Sequence, residues 1–531
     1  MFYNDNIEKN GKGAMFMKNT LKLLLLILII FAVFLGLRFL SDAAFYTGLF
    51  ELEHTSILGI FSVLFTLSAF FIGFVIFLEN RQPTKTLTWL IVLGIFPVFG
   101  FFAYLLFGQN FKRKRMFQKK ALLDEQAFLQ HKGEESRPEN RISVKRHQEL
   151  LFRLAQKLGT LNISFHTETK VLTNGDETFS AIKKVLNKAT RHIHMEYYIV
   201  RDDKIGTEIK DILIRKSLEG VEVRFLYDAV GSWRLSKKYI EELKEAGVDV
   251  IPFFPVRLPI LNDKINYRNH RKIIVVDGNE GFVGGLNIGD EYLGKDEYFG
   301  FWRDTHLYLR GGEAVQSLQL IFLQDWFYMT GEVVMHPSYL AAEKVEGENL
   351  GGVQLVAGGP DNKWDTIKHL YFAMIASARE SIWIATPYFI PDDDILSALK
   401  VAALGGIDVR LLVPSKPDKR TVFYASRSYF PELLEAGAKI YEYQKGFLHS
   451  KIVIVDSDLA SIGTANMDLR SFHLNFEVNA FLYDTHSIQK LVQDYEEDLT
   501  VSRQIHMETF KKRRLVMRIV ESTYRLLSPL L

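Results

Sequence analysis

The sequence contains no cysteine. That excludes disulfides, thiolate zinc sites, iron–sulfur clusters and a cysteine nucleophile, and it fits a reducing compartment. An excess of charge of either sign is also missing, since 65 Lys+Arg stand against 63 Asp+Glu for a net +2 with His neutral. A dedicated nucleic-acid binder is normally basic overall, so that class gains no support. No HExxH, GxSxG or phosphate-loop pattern occurs, which leaves zinc-protease, serine-hydrolase and nucleotide-binding readings without a basis. What is present is ordinary for a globular chain: 531 residues, 48 % hydrophobic and 24 % charged. The length suggests roughly three to four domains. The average hides an asymmetry, because the apolar excess sits in the first fifth of the chain.

Three apolar blocks precede residue 112. The second holds 24 uncharged residues, Thr55–Leu78, and the third 26, Thr86–Phe111. A hydrocarbon core ~30 Å thick needs about 20 helical residues, so both are long enough to span it. Pro97 and Gly100 in the third are tolerable where a neighbouring helix covers the loosened backbone. The short link Glu79–Lys85 makes the pair a hairpin. The first block, Leu23–Leu37, is shorter, and three readings stay open: a signal sequence, a third span, or a segment lying in the interface. Lys112, Arg113, Lys114, Arg115, Lys119 and Lys120 follow the third block at once, which by the positive-inside bias places the rest of the chain in the cytoplasm. A first block that also spans would put Lys9, Lys12, Lys18 and Lys22 outside, against that bias. The expected protein is therefore a multi-pass protein of the cell membrane.

Residues 112–150 are polar and basic and read as a connector. Beyond them strand and helix patterns alternate: HIHMEYYIV, then TEIKDILIRKSLEG ending on Gly220, then VEVRFLYDAV. That order indicates an α/β domain. It then returns. IHMEYYIVRD from Ile193 resembles IWIATPYFIP from Ile382, and GVEVRFLYD resembles GIDVRLLVP. NHRKIIVVDGNEGFVGGLNIGD resembles LHSKIVIVDSDLASIGTANMD, every matched position being displaced by the same distance that separates His270 from His449. A repeat that long is a duplicated domain and not a solenoid unit. The expected organisation is an N-terminal segment 1–40, a hairpin 41–111, the connector 112–150, halves at 151–345 and 346–500, and a tail 501–531. The tail carries Lys512, Arg513, Arg514, Arg518 and Arg525 among Leu515, Ile519, Leu526 and Leu530, a basic amphipathic pattern able to meet anionic lipid.

Each half contains His-x-Lys-x4-Asp: His270, Lys272 and Asp277, then His449, Lys451 and Asp456. The intervening Ile and Val put each motif on a buried strand, where His and Lys two apart face one way. Fourteen residues after each His stands a small pair, Gly284-Gly285 or Gly463-Thr464, followed by Asn287 or Asn466. Small residues let a ligand approach the backbone, and an amide can hydrogen-bond an oxyanion. Two such units face to face would surround one point with two imidazoles, two ammonium groups and two amides. That inventory suits a phosphodiester: lysines bind the non-bridging oxygens, one His attacks phosphorus and the other protonates the leaving oxygen. The expected catalytic set is the two whole motifs, Asp277 and Asp456 included, although the Asp at each strand's end reads more as a turn anchor than as a substrate contact. His192, His194 and Glu196 share a strand face, but without a fourth ligand nearby they read as structural.

The paired motifs are those of the phospholipase D superfamily. More narrowly, the hairpin TLTWLIVLGIFPVFGFFAYLLFGQN, NYRNHRKIIVVDG, GGLNIGDEYLG, FWRDTH, FLHSKIVIVD, GTANMDLRSFHLNFEV and ESTYRLLSPLL resemble the bacterial cardiolipin synthases over nearly the whole chain. The resemblance implies two duplicated α/β sandwich domains sharing one active site behind a transmembrane hairpin. It also implies conversion of two phosphatidylglycerol molecules to cardiolipin and glycerol through a phosphohistidine, with no metal or other cofactor; the charge balance and the membrane hairpin disfavour a nucleic-acid partner. Carried over by position, His270 attacks and His449 protonates departing glycerol, though the near symmetry leaves their exchange open. Lys272, Lys451, Asn287 and Asn466 hold the phosphate, and Asp304 and Glu477 are carboxylates that each fix the tautomer of one His. Rival acceptors are water, as in a phospholipase D, or another alcohol. A lipid-binding protein without turnover would not need two histidines.

Overall fold

The computed structural model describes residues 67, 70–78, 83–95, 100, 104, 145–158, 163–255, 266–347 and 350–528. The first apolar block and most of the basic connector lie outside that range. The chain divides into two compact units, 1–110 and 111–531. In the first, residues 70–78 and Pro83–Ile95 are helical. Ile76, Leu93 and Tyr104 are buried against one another, with Ile72 and Trp89 packed beside them. Phe70, Phe77, Leu87 and Ile91 are exposed. Among the described residues no helix is long and apolar enough to cross a membrane. Much of the two expected spans falls outside the described residues.

The second unit contains the duplication. One sheet has seven strands in the order Glu168–Thr173, Thr305–Arg310, Glu280–Gly284, Ile273–Val276, His192–Tyr197, Glu222–Asp228, Asp249–Phe253. The other has eight, Gly352–Gly358, Glu477–Tyr483, Leu459–Gly463, Ile452–Val455, Ser381–Ala385, Asp408–Pro414, Lys439–Tyr443 and Ser502–Ile505. Strand for strand, the order and the parallel or antiparallel sense of each pairing are the same in both, and Ser502–Ile505 is an added antiparallel edge. The central strands IIVV and IVIV are wholly buried. β-Branched runs of this kind suit a strand covered on both faces. Three apolar layers result. One packs helices on the outer face of the first sheet, one does so for the second, and a shared core between the sheets takes Ile273, Val275 and Leu307 from one half with Ile452, Ile454 and Val478 from the other.

His192 and His194 face that middle layer. Their rings bond Gln319, and His194 stacks on Phe322 at 4.8 Å. Their role is packing. Burial pushes His192, His194 and His306 down to about 3. An unfolded imidazole titrates near ~6.5, so between those values the unfolded chain binds protons that the folded chain does not. The stability they contribute is complete above the unfolded value and is lost as pH falls toward the folded one. The denaturant midpoint, followed by tryptophan fluorescence, is expected to drop steeply below about pH 6. A midpoint flat down to about pH 4 would mean the rings are charged in the fold.

Candidate active site

The two motifs meet where the halves join, and the junction is reciprocal. His270 and Lys272 lie on the extended segment just before Ile273–Val276, and His449 and Lys451 just before Ile452–Val455. The sheet begins one residue past each lysine because the backbone of each histidine is paired across the interface. His270 N donates to Phe476 O at 2.9 Å, and His449 N donates to Arg303 O at 2.7 Å. Asn269 bridges Phe476 in parallel, while Gly446–Leu448 pairs in parallel with Phe301–Arg303. Each half thus holds the other's histidine by the same bonds, as a two-fold relation requires.

The side chains repeat this crossing. His270 Nδ1 is 2.9 Å from a carboxylate oxygen of Glu477, and His449 Nδ1 is 2.7 Å from one of Asp304. Both carboxylates are fully buried. Glu477 also accepts from Ser471 Oγ at 2.9 Å and Asn475 Nδ2 at 3.2 Å. An imidazole that gives its Nδ1 proton to a carboxylate keeps a lone pair on Nε2. Lys272 Nζ donates to His270 O at 2.5 Å, and Lys451 Nζ donates to His449 O and lies 2.9 Å from that ring's Nδ1. Tyr198 meets the His270 ring edge-on at 4.9 Å, and Trp302 lies 5.1 Å from that of His449.

Burial pushes both imidazoles down to about 4, against the opposing pull of the carboxylates. Each ring is also lowered by the lysine of the other motif, so the four groups form one electrostatic unit. Burial brings Lys451 down to about 8 and Lys272 well below the usual lysine range. For Glu477 and Asp304 burial alone would raise the value, but the adjoining imidazoles and lysines hold both below the ordinary carboxylate range. At neutral pH the site therefore holds two neutral rings, each with the lone pair of its Nε2 available, between two carboxylates.

Asn466 is buried with its Oδ1 unbonded among the described residues, whereas Asn287 accepts from Ile199 N and donates to Tyr292 OH. The small pairs make room for the neighbouring strand, and in the first half for the Asp304 carboxylate, and not for open ligand space. A Cβ at Gly285 would stand 2.0 Å from Asp304 Oδ1, and one at Gly463 would stand 2.4 Å from Val478 O. Asp277 and Asp456, the third members of the motifs, stand apart from the histidines at the far ends of their strands. Asp277 accepts the backbone N–H groups of Thr190, Arg191 and His192, and Asp456 those of Arg379, Glu380 and Ser381. Both adopt positive φ, 54° and 50°. Five strand residues beyond Lys272 is about 17 Å, too far to touch what the histidines touch. Asp277→Ala is expected to cost about 2–3 kcal/mol of stability by orphaning those donors, with kcat per folded molecule kept. Thermal melting and active-site titration together separate the two effects. Loss of kcat in a fully folded Asp277→Ala protein would return this residue to the chemistry.

Ser471, Asn475, Tyr198 and Trp302 were not singled out in the sequence. All four stand near a marked residue, Trp302 beside Asp304, Tyr198 beside Glu196, and Ser471 and Asn475 before Glu477, but closeness along the chain does not show which side chains reach a histidine.

Two histidine–lysine motifs completing each other across a duplicated α/β sandwich define a phosphoryl-transfer enzyme of the phospholipase D type. The family model described as "Cardiolipin synthase, PLD-like domain" matches residues 182–326 and 371–499, and "Phospholipase_D-nuclease N-terminal" matches 66–109. Cardiolipin synthase 2 of Bacillus anthracis is 79 % identical over 515 residues, covering 97 % of this chain and 100 % of its own. The cardiolipin synthase of Geobacillus sp. (strain WCH70) is 62 % identical over the same shares. The fold resembles that of the phosphatidylserine synthase of Haemophilus influenzae, with TM-score 0.56 and 16 % identity, over 72 % of this chain and 100 % of that one. The chain belongs to the bacterial cardiolipin synthases, phosphatidyltransferases of the phospholipase D superfamily.

Proposed function

We propose that this chain makes cardiolipin from two phosphatidylglycerol molecules at the paired histidines, with His270 as nucleophile and His449 as acid and then base. The observation that carries the residue roles is the crossed pair of Nδ1–carboxylate bonds, which leaves both Nε2 atoms free. The donor's phosphate adds a negative charge beside two rings that burial keeps neutral, and a nearby anion raises an imidazole's proton affinity. Proton uptake by His449 accompanies binding. His270 Nε2 then attacks phosphorus, the bond from phosphorus to the headgroup glycerol oxygen breaks, and His449 gives that oxygen its proton. A hydroxyl of the second phosphatidylglycerol passes its proton to His449 and attacks the phosphohistidine. The phosphorus–nitrogen bond breaks, and His270 is restored. Lys272 and Lys451 balance charge on the non-bridging oxygens, and the amides of Asn287 and Asn466 donate hydrogen bonds to them.

The decisive assay incubates purified protein with labelled phosphatidylglycerol in detergent. Equimolar cardiolipin and glycerol are expected, and phosphatidic acid as the main product would reassign the acceptor to water. The N-terminal blocks at 55–78 and 86–111 form a membrane hairpin that keeps the halves at 151–345 and 346–500 beside their lipid, on the cytoplasmic side. Outward-facing Phe70, Phe77, Leu87 and Ile91 support this. Protease added outside intact cells is expected to spare residues 112–531, and cleavage there would reverse the orientation.

A further inference from the structure

The last helix, Leu515–Leu526, packs inside out. An ordinary surface helix buries its apolar stripe and shows its charges to water. Here the one fully buried side chain of the helix is a carboxylate, beside half-buried Val520 and Tyr524. Glu521 is 2 % exposed and takes Arg513 at 2.8 Å and Arg427 at 3.3 Å. Arg525 pairs with Glu432 at 2.6 Å while lying over the Tyr429 ring, and Tyr524 stacks on Tyr424 at 5.7 Å. These contacts fix the helix on the second half. Its other side carries Leu515, Ile519 and Leu526, spaced to share one face, with Val516 beside them, and they are 68, 56, 82 and 71 % exposed. Lys511, Lys512, Arg514 and Arg518 are exposed around the start of this face and, among the described residues, have no ion pair.

We propose that this face is a second membrane contact of the enzyme, lying in the interface of an anionic bilayer with Leu515, Val516, Ile519 and Leu526 among the acyl chains and the four cations among the headgroups. Of the possible occupants, an anionic lipid surface alone satisfies both features: apolar area that the fold leaves wet, and a cluster of cations without counter-charges. A second copy would set the same four cations against themselves under a two-fold operator. The ion pairs of Glu521 and Arg525 hold the orientation, so the face is presented without a folding step.

The absence of cysteine makes the test direct. Full-length protein carrying Val516→Cys, labelled with an environment-sensitive fluorophore, is reconstituted into phosphatidylcholine vesicles with or without about 30 mol % phosphatidylserine. Docking is read from the fluorophore and not from turnover, so its failure is distinct from failure of the proposed reaction. A blue shift, with quenching by spin-labelled acyl chains, is expected in the anionic vesicles and weakly in the neutral ones. Replacing Lys511, Lys512, Arg514 and Arg518 together by Gln is expected to lower the docked-to-undocked ratio more than about tenfold, since one cation near such a surface counts for about fivefold. Leu515→Ser with Leu526→Ser tests the apolar part, leaves the Glu521 and Arg525 pairs intact, and is expected to abolish quenching while turnover in detergent persists. No quenching in anionic vesicles, or equal quenching in neutral ones, overturns the proposal. So does a shift that follows protein density and ignores lipid charge, which would assign the face to a second copy.

Discussion

Alanine at His270 is expected to remove both turnover and any covalent lipid adduct, while alanine at His449 leaves the adduct and slows its formation and decay. His270→Ala takes away the nitrogen that bonds phosphorus, and the fully buried Lys272 is held by the His270 carbonyl and cannot replace it. His449→Ala keeps the nucleophile but removes the proton donor for glycerol and the base for the acceptor. Such assistance is worth about 10²–10⁴-fold. With a donor whose leaving group needs no proton, the first step is expected to recover and the second to stall. Mass measurement of acid-quenched His449→Ala protein is then expected to show one phosphatidyl group on His270. An adduct on His449 in the His270→Ala protein would exchange the roles. No adduct under any condition, alongside activity that requires added metal, would overturn the covalent mechanism.

The two motifs were legible because a strand repeats side-chain direction every second residue and the duplication preserved one offset from His270 and His449 through Asn287 and Asn466. The repeat also foretold two duplicated α/β domains, though not the strand order that they share. What lay beyond reach was pairing across the interface. Asp304 and Glu477 break the common offset, because the stretch from Asn287 to Asp304 is longer than the one from Asn466 to Glu477. Once the intervening loop changes length, equivalence shows only in the sheets, where Gly284 faces His306 and Gly463 faces Asn479. The small pairs were legible as close approach, but what approaches is the neighbouring strand and its carboxylate. The tail's amphipathic pattern was visible too. Which face it buries depends on Arg427, Tyr424 and Glu432, far earlier in the chain, and no local period encodes that.

The crossing makes a prediction that no arrangement within one half would make. Glu477→Gln lies in the second half, yet it is expected to disable the histidine of the first. The amide keeps the shape, but it can turn its NH₂ toward Nδ1 and so favour the tautomer whose Nε2 carries the proton and cannot attack. It also withdraws the charge that would stabilise the ring as it becomes cationic on bonding to phosphorus. An amide in place of the orienting carboxylate beside a catalytic histidine can cost ~10⁴-fold in kcat in the Ser-His-Asp case, and ~10²–10⁴-fold is expected here. Asp304→Asn lies in the first half and acts on His449. The two variants are therefore expected to separate in kind as well as in rate. Glu477→Gln, like His270→Ala, forms little adduct even with an activated donor. Asp304→Asn, like His449→Ala, forms the adduct and fails to pass it on. Combining each carboxylate change with the alanine of its partner across the interface is expected to add almost nothing, because groups that act as one unit are not additive. Glu477→Gln that spares adduct formation while Asp304→Asn abolishes it would mean that each carboxylate serves the histidine of its own half, and the crossed pairing would then have no part in the chemistry.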